Sequence, residues 1–84
     1  MQYVYILQSK TDLNLYIGCT NDIKGRLILH NNKKVGSTKE RAPFILIHYE
    51  AFLDPVDAYN REKYLKTRWG RNFIIKNLTN FFNR

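Results

Sequence analysis

Two neighbouring segments, QYVYIL (residues 2–7) and LYIG (residues 15–18), restrict the folds open to this chain. Both alternate aliphatic and aromatic side chains, the period-2 pattern of a β-strand. Val4 and Ile6 share one face of the first segment, and Tyr3 and Tyr5 share the other. On the second, Leu15 and Ile17 oppose Tyr16. The polar stretch QSKTDLN between them is turn-like, so the pair reads as a hairpin. A core requires the aliphatic faces to coincide, because a slip of one residue turns every side chain over. Tyr3, Tyr5 and Tyr16 then gather on the opposite face. Gly18 is read as the end of the second strand.

Downstream, Thr20, Asn21 and Asp22 suit a helix N-terminus, and the helix runs to about His30, where NNKK stops it. Ile23, Arg26, Leu27 and His30 fall on one stripe of it, an apolar stripe carrying an arginine and a histidine. NNKKVGSTKERAP is a basic loop broken by Gly36 and Pro43. FILIHYEAF follows, and its nearly continuous apolarity predicts a strand covered on both faces. Asp54-Pro55 is a helix start, aspartate as N-cap and proline in the first turn. That helix is expected to continue to about Arg68 with Gly70 as its stop, placing Ala58, Glu62, Leu65 and Trp69 on one face. A last helix, about residues 71–80, carries Phe73, Ile74 and Leu78, with Asn77 beside them. The order β-β-α-β-α-α predicts an α+β fold: one domain over residues 1–84, a small three-stranded antiparallel sheet flanked by helices.

Charge indicates the kind of partner. Fourteen Lys and Arg against seven Asp and Glu leave +7 on 84 residues. Phosphate neutralisation with counterion release is the standard use of such an excess. Seven of the basic residues lie from Arg61 onward, where Glu62 is the lone acid. Cys19 is unpaired, which fits a reduced cytoplasmic setting better than secretion. No signal peptide is expected, and the apolar runs are far shorter than a membrane span.

YVY (residues 3–5) and YIG (residues 16–18), with Tyr5 and Tyr16 eleven residues apart, resemble the two-part signature of the GIY-YIG endonucleases. Tyr3 and Val4 replace the Gly and Ile of the first motif, while YIG is intact. The likeness extends to Arg26 on the first helix, His30 one turn on, Glu62 on the second long helix and Asn77 on the last. That family has a β-β-α-β-α core with an extra helix. It includes homing endonucleases, the incision domain of the bacterial excision-repair nuclease, resolvases and some restriction enzymes. The chain looks most like its small single-domain bacterial members.

The resemblance implies a metal-dependent endonuclease hydrolysing phosphodiester bonds in DNA, with catalytic residues Tyr5, Tyr16, Arg26, His30, Glu62 and Asn77. Glu62 would hold one Mg²⁺ or Mn²⁺. Arg26 would grip the scissile phosphate through its planar fork. Tyr5, or Tyr16 after it, would act as general base or orient the water, although a phenol titrating near ~10 needs a neighbour to become competent. Asn77 would steady the metal or tyrosine side, and Gly18 would turn the backbone tightly and leave room for a phosphate. His30 is balanced between a proton-sharing role and that of a satisfied polar residue, and Glu62 has an ordinary alternative as the ion-pair partner of Arg61, Lys66 or Arg68. His48 matches nothing in the family and is read as a core or edge polar residue. Lys33, Lys34, Lys39, Arg41, Arg61, Lys66, Arg68 and Arg71 are candidates for the DNA backbone. A non-catalytic nucleic-acid-binding module on the same fold is the alternative, and a protein-interaction domain using Phe81 and Phe82 is a third reading. Without a separate targeting domain, specificity would come from DNA structure, a protein partner or a homodimer.

Overall fold

The computed structural model describes residues 1–84. Strands β1 (Gln2–Ser9) and β2 (Leu15–Thr20) form the expected hairpin, followed by helix α1 (Ile23–Asn31) and a 3-10 turn (Lys39–Arg41). Strand β3 (Phe44–Phe52) precedes helices α2 (Pro55–Leu65), α3 (Arg68–Asn77) and the short α4 (Thr79–Phe82). The three strands form one antiparallel sheet in the order β2-β1-β3, so β1 is central and both neighbours are edges. No helix is long and apolar enough to cross a membrane.

Register explains the two layers. Tyr5 pairs with Gly18, Leu7 with Tyr16 and Ile6 with Ile17, which aligns the aliphatic faces as the alternation requires. Val4, Ile6 and Ile17 meet Ala58 and Leu65 of α2 and Ile74 of α3, the main core. Tyr5 and Leu7 face the other way, packing with Phe44 and, from α1, Leu27. On β3, Ile6 pairs with His48 but Leu7 pairs with Leu46. The unpaired Ile47 is a β-bulge, and it keeps Leu46 and Tyr49 on the tyrosine face although they are three positions apart.

The helix starts follow the sequence. Asp22 caps α1 by accepting from the Gly25 amide, and Asp54 caps α2 by accepting from the Val56 amide, with Pro55 in the first turn. Both assignments of a stopping glycine fail. β2 passes through Gly18 to Thr20. Gly18 is there for space, since a Cβ at this position would run into the Tyr5 hydroxyl. The second helix ends at Leu65, and Gly70 lies inside α3. A Cβ at Gly70 would collide with the Tyr64 carbonyl and Leu65 Cα, so this glycine seats α3 against the end of α2. The break at Lys66–Thr67 also turns Trp69 away from the core, leaving it 77% exposed. β3 is only half covered, because an edge strand flanked by one short helix leaves Tyr49 and Ala51 in solvent.

Candidate active site

The tyrosine face of the hairpin and the inner stripe of α1 enclose a buried polar cluster. The Tyr5 hydroxyl lies 3.1 Å from His30 Nε2, and His30 Nδ1 lies 2.8 Å from Thr38 Oγ1. Thr38 donates its own hydroxyl hydrogen to the Val35 carbonyl at 3.4 Å, so it accepts from Nδ1–H of the imidazole. Nε2 is left as an acceptor for the Tyr5 O–H. All three side chains are buried, and no buried side-chain polar atom in the chain lacks a partner.

Arg26 stands beside both phenols. Burial raises the pKa of Tyr5, and a hydrogen bond from Arg26 acts in the opposite direction. The same contact with Tyr5 shifts Arg26 further toward its charged form. His30 is lowered, first by burial and then by the charge of Arg26, which favours neutral imidazole. The Tyr16 ring packs edge-on to His30 at 4.8 Å between centroids, and Phe44 closes the other side at 5.7 Å. Asn31 then fixes the end of α1 to β3: its amide donates to the Phe44 carbonyl at 3.2 Å and its oxygen accepts from the Phe44 amide at 2.7 Å.

Tyr5, Tyr16, Arg26 and His30, spread over two strands and a helix, are therefore brought together. Glu62 approaches from the other layer. It sits on α2 with its side chain 17% exposed, hydrogen-bonded by Lys66 at 2.6 Å, and close enough to Cys19 that its charge helps raise the thiol pKa, after burial. Cys19 follows Gly18, which backs the Tyr5 phenol. The carboxylate and the Tyr5–His30 cluster thus flank a single edge strand, β2, without touching. Asn77 is exposed at the end of α3, and its side chain makes no hydrogen bond to either group.

The basic residues divide by environment. Lys33, Lys34 and Lys39 are exposed between α1 and β3, and Lys66, Arg68 and Arg71 are exposed where α2 meets α3. Arg41 is engaged within the fold, bonded to Asp12 at 2.9 Å and lying 5.6 Å over the Phe44 ring. Arg61 donates to both Glu50 oxygens, at 2.8 and 3.2 Å, and covers Phe73 at 4.7 Å. His48 bonds Glu50 as well, at 3.2 Å. Thr38 carried no signal in the sequence, since a threonine in a basic loop has no periodicity to reveal what it faces.

Comparison with known proteins places the chain in a family. The GIY-YIG catalytic domain matches residues 1–76. A UPF0213 protein of Clostridium perfringens is 42% identical over 67 residues, covering 79% of this chain and 71% of that one. A UPF0213 protein of Staphylococcus haemolyticus is 39% identical over 66 residues, 77% of this chain and 79% of its own length. The solution NMR structure of a UPF0213 protein from Bacillus halodurans has a TM-score of 0.58 at 32% identity, covering 93% of this chain and 86% of that one. With motif, topology and matched span in agreement, the chain belongs to the GIY-YIG nuclease family, among its small bacterial UPF0213 members.

Proposed function

We propose that this chain is a divalent-metal-dependent endonuclease that hydrolyses phosphodiester bonds in DNA, with Tyr5, Tyr16, Arg26, His30, Glu62 and Asn77 as its working residues. The observation that supports this most is the buried chain from Tyr5 through His30 to Thr38 with Arg26 beside the phenol. A structural tyrosine needs only one partner. Here the hydroxyl has a base on one side and a cation on the other, the setting that lets a phenol pass a proton.

Tyr5 gives its proton to His30 Nε2 as it takes one from the attacking water. Arg26 holds two phosphate oxygens and stabilises the charge that grows on them. Its charge also disfavours imidazolium at His30 in the free protein. A bound phosphodiester offsets that field, so the imidazole gains basicity as substrate arrives. Tyr16, against the His30 ring, keeps the imidazole in place and shields it from water.

GIY-YIG nucleases generally require a divalent metal. No group of three or more His, Cys, Asp or Glu side chains gathers in this fold to hold an ion. The fit is therefore to one carboxylate, Glu62, with water and substrate oxygens completing the shell, a donor set that suits Mg²⁺ or Mn²⁺. Such an ion, when bound, polarises a phosphoryl oxygen and neutralises charge at the leaving oxygen. Asn77, whose side chain has no protein hydrogen bond, would steady the metal side only through bound water or substrate. Lys33, Lys34, Lys39, Arg68 and Arg71 are free to track the backbone, whereas Arg41, Arg61 and Lys66 have carboxylate partners to leave first.

The test is nicking of supercoiled, branched and single-stranded DNA with Mg²⁺ or Mn²⁺, comparing wild type with Arg26→Ala, Tyr5→Phe and Glu62→Ala. Cleavage lost in all three is the expected result. Cleavage that persists in Arg26→Ala and Glu62→Ala places the activity elsewhere. Salt-sensitive binding with no cleavage on any substrate assigns the chain to a non-catalytic module.

A further inference from the structure

Away from the Tyr5–His30 cluster, Trp69 occupies an unusual position for the one tryptophan of a small protein. Large aromatics supply most of a small core, yet this indole is 77% exposed. Its orientation is built in. Gly70, Phe73 and Ile74 form the inner stripe of α3, with Gly70 fitted against the Tyr64 carbonyl, and that docking turns Trp69 outward. Arg68 and Asn72 stand on either side of it and with it line a surface cleft of about 450 Å³. Lys63 and Lys66 are exposed on the helix and turn that precede it, and Arg71, also exposed, lines a separate cleft with Leu13 and Ile75. On the neighbouring helix the Lys63 ammonium lies 5.3 Å over the exposed Tyr59 ring. Lys66 connects this surface to Glu62, to which it donates at 2.6 Å.

We infer that the α2–α3 corner is a stacking platform for unpaired nucleotides: a base lies on the Trp69 indole, Asn72 reaches its edge, and Arg68 takes the adjoining phosphate. Exposed aromatics set among cations are how proteins hold single strands without reading sequence. Duplex DNA keeps its bases stacked and offers the indole no free ring face, so the platform selects unpaired strands. A protein partner fits less well, because the indole's companions in the cleft are a guanidinium and an amide, with no second apolar side chain lining it. The inference adds a substrate class to the nuclease reading and rests on it for the nucleic-acid partner.

Trp69 is its own probe. The full chain, held without divalent metal so that nothing is cut, is titrated with a thymidine oligomer of about 12 nucleotides and with a duplex of equal length. Saturable, salt-sensitive quenching of the indole by the oligomer, weak with the duplex, is expected. Trp69→Ala should weaken oligomer binding, read by anisotropy of the labelled strand, by about 10-fold, and Trp69→Phe should recover most of it. Duplex binding and the circular dichroism spectrum should not change. Unchanged fluorescence, or unchanged oligomer affinity in Trp69→Ala, overturns the platform. So does quenching that follows protein concentration in the absence of DNA, which assigns the face to a second copy of the chain. Addition of metal separates the two readings: quenching without cleavage removes the hydrolase and keeps the platform, and cleavage without quenching does the reverse.

Discussion

Gly18 stands opposite Tyr5 in the β1–β2 ladder, and the absence of its side chain is what lets the phenol reach His30. Gly18→Ala places a methyl where the Tyr5 hydroxyl now lies, and the nearest ring carbons are also in contact range. The ring must shift, at a cost of about 1–3 kcal/mol for overpacking. Urea unfolding should show the loss. Cleavage should fall further than stability does, because the displaced hydroxyl no longer faces Nε2. Tyr5→Phe removes the atom in closest contact, so the double variant should be more stable than the sum of the two single losses requires. Strict additivity would mean that Gly18 serves the backbone alone.

A second prediction concerns pH. Burial and Arg26 hold the His30 pKa below its ordinary 6.5. The unfolded chain therefore binds a proton near 6.5 that the folded chain refuses, and stability rises with pH wherever the unfolded state carries more protons. The contribution of His30 is complete above pH ~6.5 and is lost progressively as pH falls below it. Burial raises Glu50, but hydrogen bonds from Arg61 and His48 outweigh it and leave the pKa below its ordinary 4.5, so its contribution is lost only at lower pH. Thermal melts between pH 7.5 and 5 should thus show a decline that His30→Gln flattens. An equal slope in the variant would assign the decline to another group.

The two kinds of basic residue should separate by salt dependence. Lys33 and Lys34 are exposed and make no ion pair, whereas Arg61 is held by Glu50 and Phe73. Replacing both lysines by alanine should lower the slope of log K against log salt by about 1.4–1.8 if each meets a phosphate, with no change in unfolding midpoint. Arg61→Ala should do the opposite. It leaves the part-buried Glu50 without its guanidinium, costing about 1–3 kcal/mol, and the salt slope stays as it was. A slope unaffected by the lysine changes would take that loop off the DNA path.

The sequence disclosed the parts of the fold that depend on local pattern. Strand alternation placed Tyr3, Tyr5 and Tyr16 on one face, and Asp22 and Asp54-Pro55 marked where two helices begin. It misled where a glycine was judged by local rules. Gly18 and Gly70 both looked like stops, but each makes room for a group far away or around a corner, a phenol on the next strand and a carbonyl on the preceding helix. No window of neighbouring residues contains that information. For a related reason the helical phase that puts Trp69 on the inner face of α2 does not apply to it: the break at Lys66–Thr67 starts a new helix with its own phase. Four candidate residues converge because their positions follow from strand and helix phase. That Glu62 lies across β2 from them, and that Thr38 completes the chain from His30, are consequences of tertiary packing alone.

The last prediction concerns the contact that Lys66 makes with Glu62, 2.6 Å from Oε2 on a half-exposed side chain. A divalent ion taking Glu62 has to displace that ammonium, so the two cations compete for one carboxylate. Lys66→Met removes the competitor and keeps the aliphatic length. Exposed pairs of this kind are worth about 0.2–1 kcal/mol, so the Mg²⁺ concentration for half-maximal nicking should fall by about 1.4- to 5-fold. Lys66 also faces the proposed nucleic-acid path, and its removal should weaken DNA binding at the same time. The two effects have opposite signs and separate readouts, metal titration at saturating DNA and DNA titration without metal. A metal requirement that stays fixed or rises in Lys66→Met would mean that the ion is held by atoms other than Glu62.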